Sequence, residues 1–480
     1  MIRSLTASLL LAGAAASMPA AAGEHVDGSF VFMSADSCYT AGNEGCYLTD
    51  PAAAAKAVDE LAAVGVKHFL LPGTHPQRDT LAQLRVIARA VKDRGFDFYT
   101  YEGWSWKSKR APGGAPDCAA YTAARIDPAL APLRAEFGAA FAGLHYQDEP
   151  AEDDPAALGR QTDCVKADPR LQGLKIFVNV LPLHANDASY GGTDIIHFGS
   201  RKPEEFGVDC AAGAIANQAT VDAMVTRYSN YARNILDQSR ADYLAMNLYP
   251  FVPALSQCPR ATQLLMSENM SIIANLARSR GRTSVAYLQN VHTATPALHP
   301  QPFELTGFGE LRWYATWFYA FGGDAVANFA SHTHPFQSDA QTGWQTAILG
   351  YDNRPTALAE HALNGNSYAA LLQRHLGAYA YRGFVDNALG APSGELVGWI
   401  SNHQVLAGEY GRGGDAQALV VFARRAAKTG GGATIGLQRW YGKVEKLDLW
   451  TGAWTTVGTA TNRIDVSLDA DPGALYRLTR

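Results

Sequence analysis

Eight short apolar runs recur along the N-terminal two thirds of the chain, and they constrain the fold more than any other feature. Each run is almost continuously apolar or alternates with small polar residues, which is typical of strands buried on both faces. The predicted strands are Phe30–Ala35, Val66–Leu71, Asp97–Glu102, Leu144–Gln147, Lys175–Val180, Tyr243–Leu248, Ser284–Gln289 and Ala325–Ala330. Amphipathic segments separate them, so the alternation predicts a (β/α)8 TIM barrel; an open doubly wound sheet is the less favoured alternative.

The alternation of strand and helix patterns ends with a helical stretch at Pro355–Leu376. Short strand patterns separated by turns follow it, and such spacing indicates a small antiparallel β-sandwich. The predicted strands are Leu396–Ile400, Ala418–Arg424, Ala433–Leu437, Val444–Leu449, Trp454–Val457, Arg463–Leu468 and Ala474–Leu478. We therefore divide the chain into a barrel at 23–378 and a sandwich at 379–480.

The N-terminus predicts export. A short positive start is followed by an apolar core at Leu5–Ala16, which is too short to span a bilayer, and Ala20-Ala21-Ala22 offers a cleavage site. We expect residues 1–22 to be a signal peptide and the mature protein to be a monomer without a membrane anchor. The net charge of −5 and the lack of a basic stripe argue against a nucleic-acid partner.

Six cysteines favour disulfides over metal binding in an exported chain. Six cysteines allow 15 pairings, and their count and spacing alone do not choose among them. Adjacent barrel loops, however, lie close enough for the narrow Cα separation that a disulfide needs. On that basis we predict Cys38–Cys46, Cys118–Cys164 and Cys210–Cys258.

The end of the fourth predicted strand carries the adjacent carboxylates Asp148 and Glu149. A TIM barrel builds its active site at the C-terminal ends of its strands. Glycoside hydrolysis needs one carboxyl group to protonate the leaving oxygen and a second to attack or to activate water. We assign Glu149 as the general acid, and we expect Asp148 to face the opposite side and to orient a neighbour. A solvated acidic turn is the alternative.

Amides and aromatic residues at other strand ends suit sugar hydroxyls and pyranose faces. The predicted substrate contacts are Asp148, Trp104, Trp106, Asn179, Asn247, Tyr249, Gln289 and Glu310, and further polar residues there are Asp36, His292, His332 and His334. His332 and His334 have ligand-like spacing, but no acidic or histidine cluster completes a metal site. We therefore expect hydrogen-bonding histidines, no metal and no cofactor.

The chain resembles the clan A glycoside hydrolases, and more closely secreted bacterial barrel proteins related to the family 42 β-galactosidases. The resembling motifs are Asp148-Glu149-Pro150, Asn247-Leu248-Tyr249-Pro250 and Glu310-Leu311-Arg312 leading into Tyr319–Gly323. The resemblance implies Glu149 as acid/base. It does not supply a nucleophile, because clan A places a glutamate at the end of strand seven, where this chain has Gln289.

Three carboxylates compete for the second catalytic role. Glu102 ends the third strand beside Trp104 and Trp106, Glu304 lies in the loop after strand seven, and Glu310 begins the next helix. A carboxylate at a helix N-terminus also stabilises the helix, which is the alternative for Glu310. For Glu102 the alternative is an ion pair at the barrel rim. We choose Glu102, and we keep open a glycan-binding protein on a catalytically silent barrel.

Overall fold

The computed structural model describes residues 26–34, 38, 45–73, 80–102, 117–146, 148–192, 201–252, 255, 257–293, 307–335, 344–387, 391–411, 417–425, 431–448, 451–469 and 471–480. The predicted signal peptide at 1–22 lies outside these residues. Within the described ranges, no helix is both long enough and apolar enough to cross a membrane.

Eight parallel strands form a closed barrel, which confirms the predicted (β/α)8 fold. In chain order they are β1 (Ser29–Phe32), β2 (Val66–Leu71), β3 (Asp97–Glu102), β4 (Phe141–Tyr146), β5 (Lys175–Val180), β6 (Tyr243–Asn247), β7 (Thr283–Gln289) and β8 (Ala325–Phe329). Each strand pairs with the next one along the chain, and β1 also pairs with β8 to close the ring. The C-terminal ends of all eight strands therefore meet at one mouth.

Helices cover the outside of the barrel. They are α1 (Pro51–Ala63), α2 (Leu81–Asp93), α3 (Cys118–Tyr121), α4 (Ala131–Phe137), α5 (Pro155–Ala167), α6 (Asp187–Tyr190), α7 (Gln218–Ser239), α8 (Pro259–Ser279), α9 (Phe308–Ala320) and α10 (Ala357–Leu376). Local sequence sets their ends. Asp50 caps α1 by accepting a hydrogen bond from the Ala52 amide at 2.8 Å, and Gly65 supplies the positive φ of 90° that turns the chain into β2.

The helical segment before β4 begins at α3, which Asp117 caps. A π-helical stretch, Thr122–Leu130, leads from α3 to α4 and contains Pro128 in its interior. The smaller elements are the 3₁₀ turns Gly138–Ala140, Pro169–Leu171 and Pro203–Phe206, and the short strands Val208–Asp209, Ala214–Ile215, His292–Thr293, His334–Pro335 and Trp344–Thr346.

The barrel interior is packed with aromatic rings. Phe30, Tyr99, Phe177 and Tyr243 contact one another with ring centroids 5.3–6.4 Å apart. These rings close the barrel, as side-chain layers do in TIM barrels. The barrel mouth is therefore a cleft with these rings at its bottom.

Seven antiparallel strands follow the barrel and enclose a hydrophobic core of their own, which confirms the predicted sandwich. They are β9 (Ala380–Val385), β10 (Val397–Ile400), β11 (Val405–Gly411), β12 (Gln417–Arg424), β13 (Gly432–Leu447), β14 (Trp454–Ser467) and β15 (Gly473–Thr479). Two predicted pairs of strands are single long strands, β13 and β14, which pair with each other. The sequence analysis missed β9 and β11.

Helix α9 joins the two parts. The indole N–H groups of Trp313 and Trp317 donate to the Arg424 carbonyl at 2.8 and 2.6 Å, and both rings are fully buried. The Tyr410 hydroxyl of the sandwich donates to the Tyr319 carbonyl of α9. One face of this barrel helix is thus buried by the sandwich.

We expect Gly408→Ala to destabilise the protein at this interface. A Cβ atom at Gly408 would lie 2.2 Å from the Ala320 carbonyl oxygen, and backbone cannot move aside as a flexible side chain can. Overpacking of this kind costs about 1–3 kcal/mol. The control is Gly411→Ala on the same strand, where the nearest atom is the Arg382 Nε at 3.5 Å. Thermal melts that show equal losses for both variants would contradict the tight contact.

All three predicted disulfides are present. The Cα–Cα distances are 4.8 Å for Cys38–Cys46, 5.1 Å for Cys118–Cys164 and 5.0 Å for Cys210–Cys258. The first closes a loop after β1, the second ties α3 to α5, and the third joins the connections that follow β5 and β6. Each bridge restrains segments that lead away from the barrel mouth.

Candidate active site

The two carboxylates beyond β4 face the same cleft. Strand β4 ends at Tyr146, and Glu149 has a left-handed φ of 51°, a conformation rare outside glycine. Both charges raise the pKa of the same two hydroxyls, those of Tyr101 and Tyr249. The expectation that Asp148 faces away from Glu149 is therefore wrong, because strand alternation stops before these residues.

Two amides from neighbouring strands hold the pair. The Asn179 Nδ2 of β5 donates to Asp148 Oδ1 at 2.6 Å, and the Asn247 Nδ2 of β6 donates to Glu149 Oε1. In the backbone, the Glu149 N–H also donates to the Asn179 main-chain carbonyl at 3.0 Å. The oxygens of both amides are buried and accept no hydrogen bond within the described residues. The structure thus brings together four of the predicted site residues.

The loop that carries the pair is anchored from behind. The Tyr231 hydroxyl of α7 donates to the Pro150 carbonyl at 2.7 Å and accepts from the Leu181 amide at 3.1 Å. Asp154 accepts from the Ala151 amide at 2.8 Å. These bonds hold the backbone of the loop in place, and the fixed backbone in turn positions the two carboxylates.

Burial raises the pKa of both carboxyls, and the Asp148 charge raises that of Glu149 further. Burial raises the pKa of Asp148 against the opposing bond from Asn179. Burial and then the Asp148 charge raise the pKa of Glu149 well above its usual range, and the Asn247 bond only partly opposes this. Two buried carboxyls that interact do not ionise together easily, so the pair retains a proton at a pH where isolated carboxyls have lost theirs. A retained proton is what a general acid needs.

Tyrosines line the cleft around the pair. The Tyr101 hydroxyl is hydrogen-bonded to the Asp148 backbone. The Tyr249 ring stacks on Phe329 with centroids 5.4 Å apart, and burial and then the charges of Asp148 and Glu149 raise the pKa of the Tyr249 hydroxyl. Tyr287 of β7 is 2% exposed, lies within electrostatic range of Asp148, and its hydroxyl has no hydrogen-bond partner in the described chain. The sequence analysis missed Tyr287, although its position two residues before Gln289 marks the same face of β7.

His145 was also missed, and it lies in the floor of the cleft. Its ring packs edge-on against Phe177 at 5.2 Å and Tyr101 at 5.5 Å. Burial lowers its pKa to about 3, so it is neutral at physiological pH, and neither ring nitrogen has a partner among the described residues. A neutral floor leaves the carboxylate pair without a compensating positive charge from below.

Glu102 does not reach the cleft, so its assignment as the second catalytic carboxylate is corrected. Tyr99 and Tyr101 point into the barrel, and Glu102 points outward into the helical layer with 1% exposure. It forms an ion pair with Arg125, including an Nε–Oε2 bond of 3.1 Å, and accepts from the Tyr121 hydroxyl at 3.3 Å. The ion-pair alternative describes this residue.

Gln289 and Glu310 serve the structure rather than a ligand. Gln289 is fully buried, and its amide clamps the Phe251 backbone with bonds of 3.1 and 3.0 Å. Glu310 accepts from the Gly307 amide in a capping box at the start of α9. Both predicted substrate contacts are therefore wrong for these side chains.

The remaining candidates divide into two groups. Asp36, Trp104, Trp106 and Glu304 lie outside the described residues. His332 is hydrogen-bonded through both ring nitrogens, to the Ser331 hydroxyl at 2.8 Å and the Asn353 Oδ1 at 2.9 Å, as expected for a hydrogen-bonding histidine. Across the described ranges, no group of three or more histidine, cysteine or acidic residues is arranged to hold a metal ion.

We expect Glu149→Gln to raise the melting temperature at pH 8 but not at pH 4. A carboxyl whose folded-state pKa lies above its unfolded value destabilises the protein progressively as pH rises from the unfolded pKa, near 4.3, through the folded one. Glutamine removes that cost, so the gain is about 1–3 °C at pH 8. Exposed Asp153→Asn controls for the change in net charge. A gain independent of pH would contradict the raised pKa.

The chain matches no protein-family model and no curated protein. Solved structures that resemble it include a family 51 α-L-arabinofuranosidase from Bifidobacterium longum, with 11% identity and a TM-score of 0.45 over 98% of each chain. A GH99 endo-α-mannosidase from Bacteroides thetaiotaomicron has 8% identity and a TM-score of 0.43, covering 74% of this chain and 99% of its own. An α-amylase from Malbranchea cinnamomea has 10% identity and a TM-score of 0.41, covering 94% and 96%.

These solved structures are glycoside hydrolases. At such low identities and TM-scores the likeness concerns the fold and carries no argument about substrate or mechanism. The resemblance to clan A and to family 42 therefore stays a prediction.

Proposed function

We propose that the protein is an exported glycoside hydrolase in which Glu149 is the general acid/base. The observation that carries this proposal is the pair of buried carboxyls Asp148 and Glu149 at the barrel mouth, with raised pKa values and amide partners. Perturbed carboxyls in a cleft are candidates for catalysis on physical grounds. The three disulfides support export.

The cleft suits a sugar. Glu149 holds a proton for the leaving oxygen, and the side-chain amide oxygens of Asn179 and Asn247, which have no partner among the described residues, can accept from sugar hydroxyls. Tyr249 and Phe329 offer aromatic surface for a pyranose face. We propose Asp148, Asn179, Asn247 and Tyr249 as substrate contacts, and Trp104 and Trp106 remain candidates for the same role.

One observation favours a second function, glycan binding without cleavage. Gln289 stands where clan A has its nucleophile and is engaged with Phe251, and no carboxylate among the described strand ends faces Glu149 from across the barrel. A lost activity would leave such a pattern.

Incubation of the mature protein with a panel of oligosaccharides and aryl glycosides tests the proposal, with release of reducing ends or of the aryl group as readout. The double variant Asp148→Asn/Glu149→Gln is the negative control. Cleavage by the wild type alone supports a hydrolase. Binding of a glycan by both proteins, with no release by either, would replace it with the binding function.

A further inference from the structure

Asp148 and Glu149 lie on the same wall of the cleft. Asp148 is held from β5 and Glu149 from β6, the two strands that follow β4 around the barrel. Two carboxylates that divide the acid and nucleophile roles must flank the anomeric carbon from opposite sides. Two consecutive residues on one wall do not meet that requirement, so Asp148 has a different task.

The wall across the cleft is aromatic where the structure describes it. Phe32 of β1 and Phe329 of β8 stack with centroids 6.0 Å apart, and the described ends of β1, β2 and β8 carry no carboxylate. A sugar bound against Glu149 would thus meet apolar surface on its other side. Among these described residues no carboxylate faces Glu149, and the substrate itself is one source of a nucleophile.

We propose, resting on the glycosidase function above, that the substrate is a 2-acetamido-2-deoxy sugar whose own acetamide is the nucleophile. Asp148 is then a catalytic residue that accepts a hydrogen bond from the acetamide N–H. Glu149 protonates the glycosidic oxygen. The proposal thus uses both members of the pair without requiring a carboxylate on the opposite wall.

Buried polar groups around Asp148 fit an acetamide. Tyr287 is 2% exposed, is near Asp148 and has a hydroxyl without a described partner, so it can donate to the acetamide carbonyl. The ring pair Tyr249 and Phe329 provides an apolar surface for the acetyl methyl group. The side-chain Oδ1 of Asn179, a residue that is 3% exposed, has no partner among the described residues and can accept from a sugar hydroxyl.

The steps balance as a hydrolysis with retention. The bond from C1 to the leaving oxygen breaks with its electron pair on oxygen, which takes the proton of Glu149, while the acetamide oxygen bonds to C1 and forms an oxazolinium ring. Asp148 stabilises the positive charge on its N–H. Glu149, now ionised, takes a proton from water, and the water oxygen attacks C1 and opens the ring. One water is consumed and both carboxyls return to their initial states.

The raised pKa values agree with this division of roles. Glu149 is raised in part by the Asp148 charge, which corresponds to a proton on Glu149 and a negative charge on Asp148. The Asn179 bond stabilises that charge in place.

The test uses aryl β-glycosides of 2-acetamido-2-deoxyglucose, of 2-acetamido-2-deoxygalactose and of the trisaccharide of 2-acetamido-2-deoxyglucose. The rate for each is compared with that for the same glycoside carrying a 2-hydroxyl group in place of the acetamide. We expect kcat/KM to favour the acetamido substrates by about 100-fold or more. Successive fluorination of the acetyl methyl group should lower kcat progressively, because fluorine weakens the acetamide nucleophile but not an enzyme carboxylate. Asp148→Asn should lose about 100-fold in kcat, and the matched control Asp153→Asn should not.

The outcomes separate this inference from the function on which it rests. Cleavage of 2-hydroxy glycosides at equal rates, or indifference to fluorination, would overturn the inference and leave a glycosidase. If nothing is cleaved, calorimetry with the thiazoline analogue of the oxazoline intermediate decides. Binding lost in Asp148→Asn keeps the acetamido site and overturns hydrolysis, and no binding overturns both.

Discussion

Glu149→Gln is expected to lower kcat/KM by about 10²–10⁴-fold on a substrate with a poor leaving group, since general acid catalysis contributes that much. Glutamine keeps the shape of the side chain and the bond to Asn247 but has no proton to give. On a dinitrophenyl glycoside, whose leaving group needs no proton, the first step should be largely spared. The measurement is kcat/KM for both substrates at the pH optimum of the wild type.

Glu310→Gln is the matched control for this experiment. It makes the same chemical change on the same barrel, and glutamine also supports a capping box, so activity and stability should be retained. Equal losses on both leaving groups would show that Glu149 binds the sugar rather than protonating the leaving oxygen. Full activity in Glu149→Gln would remove it from the reaction.

Glu102→Gln is expected to destabilise the protein by about 3–5 kcal/mol without changing kcat. The substitution leaves the Arg125 guanidinium buried between β3 and the helical layer without its counter-charge, and loss of one partner of a buried pair is costly. Thermal or denaturant unfolding measures the loss, and kcat at a temperature where the variant is folded measures the activity.

Two comparisons make this result specific. Removing both charges in Glu102→Gln/Arg125→Met should recover part of the loss, because no unpaired charge remains buried. Glu152→Gln breaks a half-exposed pair with Arg227 and should cost only about 0–1 kcal/mol. A fall in kcat for Glu102→Gln with unchanged stability would instead return Glu102 to the reaction.

The barrel was predictable because eight buried strands leave eight apolar runs, and the disulfides followed from loops that the barrel brings together. The side on which Glu102 faces was not predictable in the same way. In Asp97–Glu102 both faces are buried, so hydrophobicity does not mark which residues point inward. The prediction of where Asp148 points failed for another reason. Glu149 has a left-handed φ, and the residue types around it do not indicate this conformation.

The wrong predictions for Glu310 of α9 and Gln289 of β7 differ in whether the local sequence could have prevented them. The sequence analysis already gave helix capping as the alternative for Glu310, and the local Gly307–Glu310 spacing was sufficient to decide it. Gln289 was beyond such local signals, because its partner Phe251 belongs to a different loop and the contact exists only once β6 and β7 are paired.

Helix α9 lies in one hydrophobic core that the barrel shares with sandwich residues such as Tyr410 and Leu475, and this ties the two parts of the chain together. Its indoles bond to Arg424, its backbone accepts from Tyr410, and Arg312 forms an ion pair with Asp471 at 3.3 Å. An unrelated domain fused in place of the sandwich would have to cover the same aromatic face of α9. Exchange of either part therefore requires a matching surface at α9 and β12.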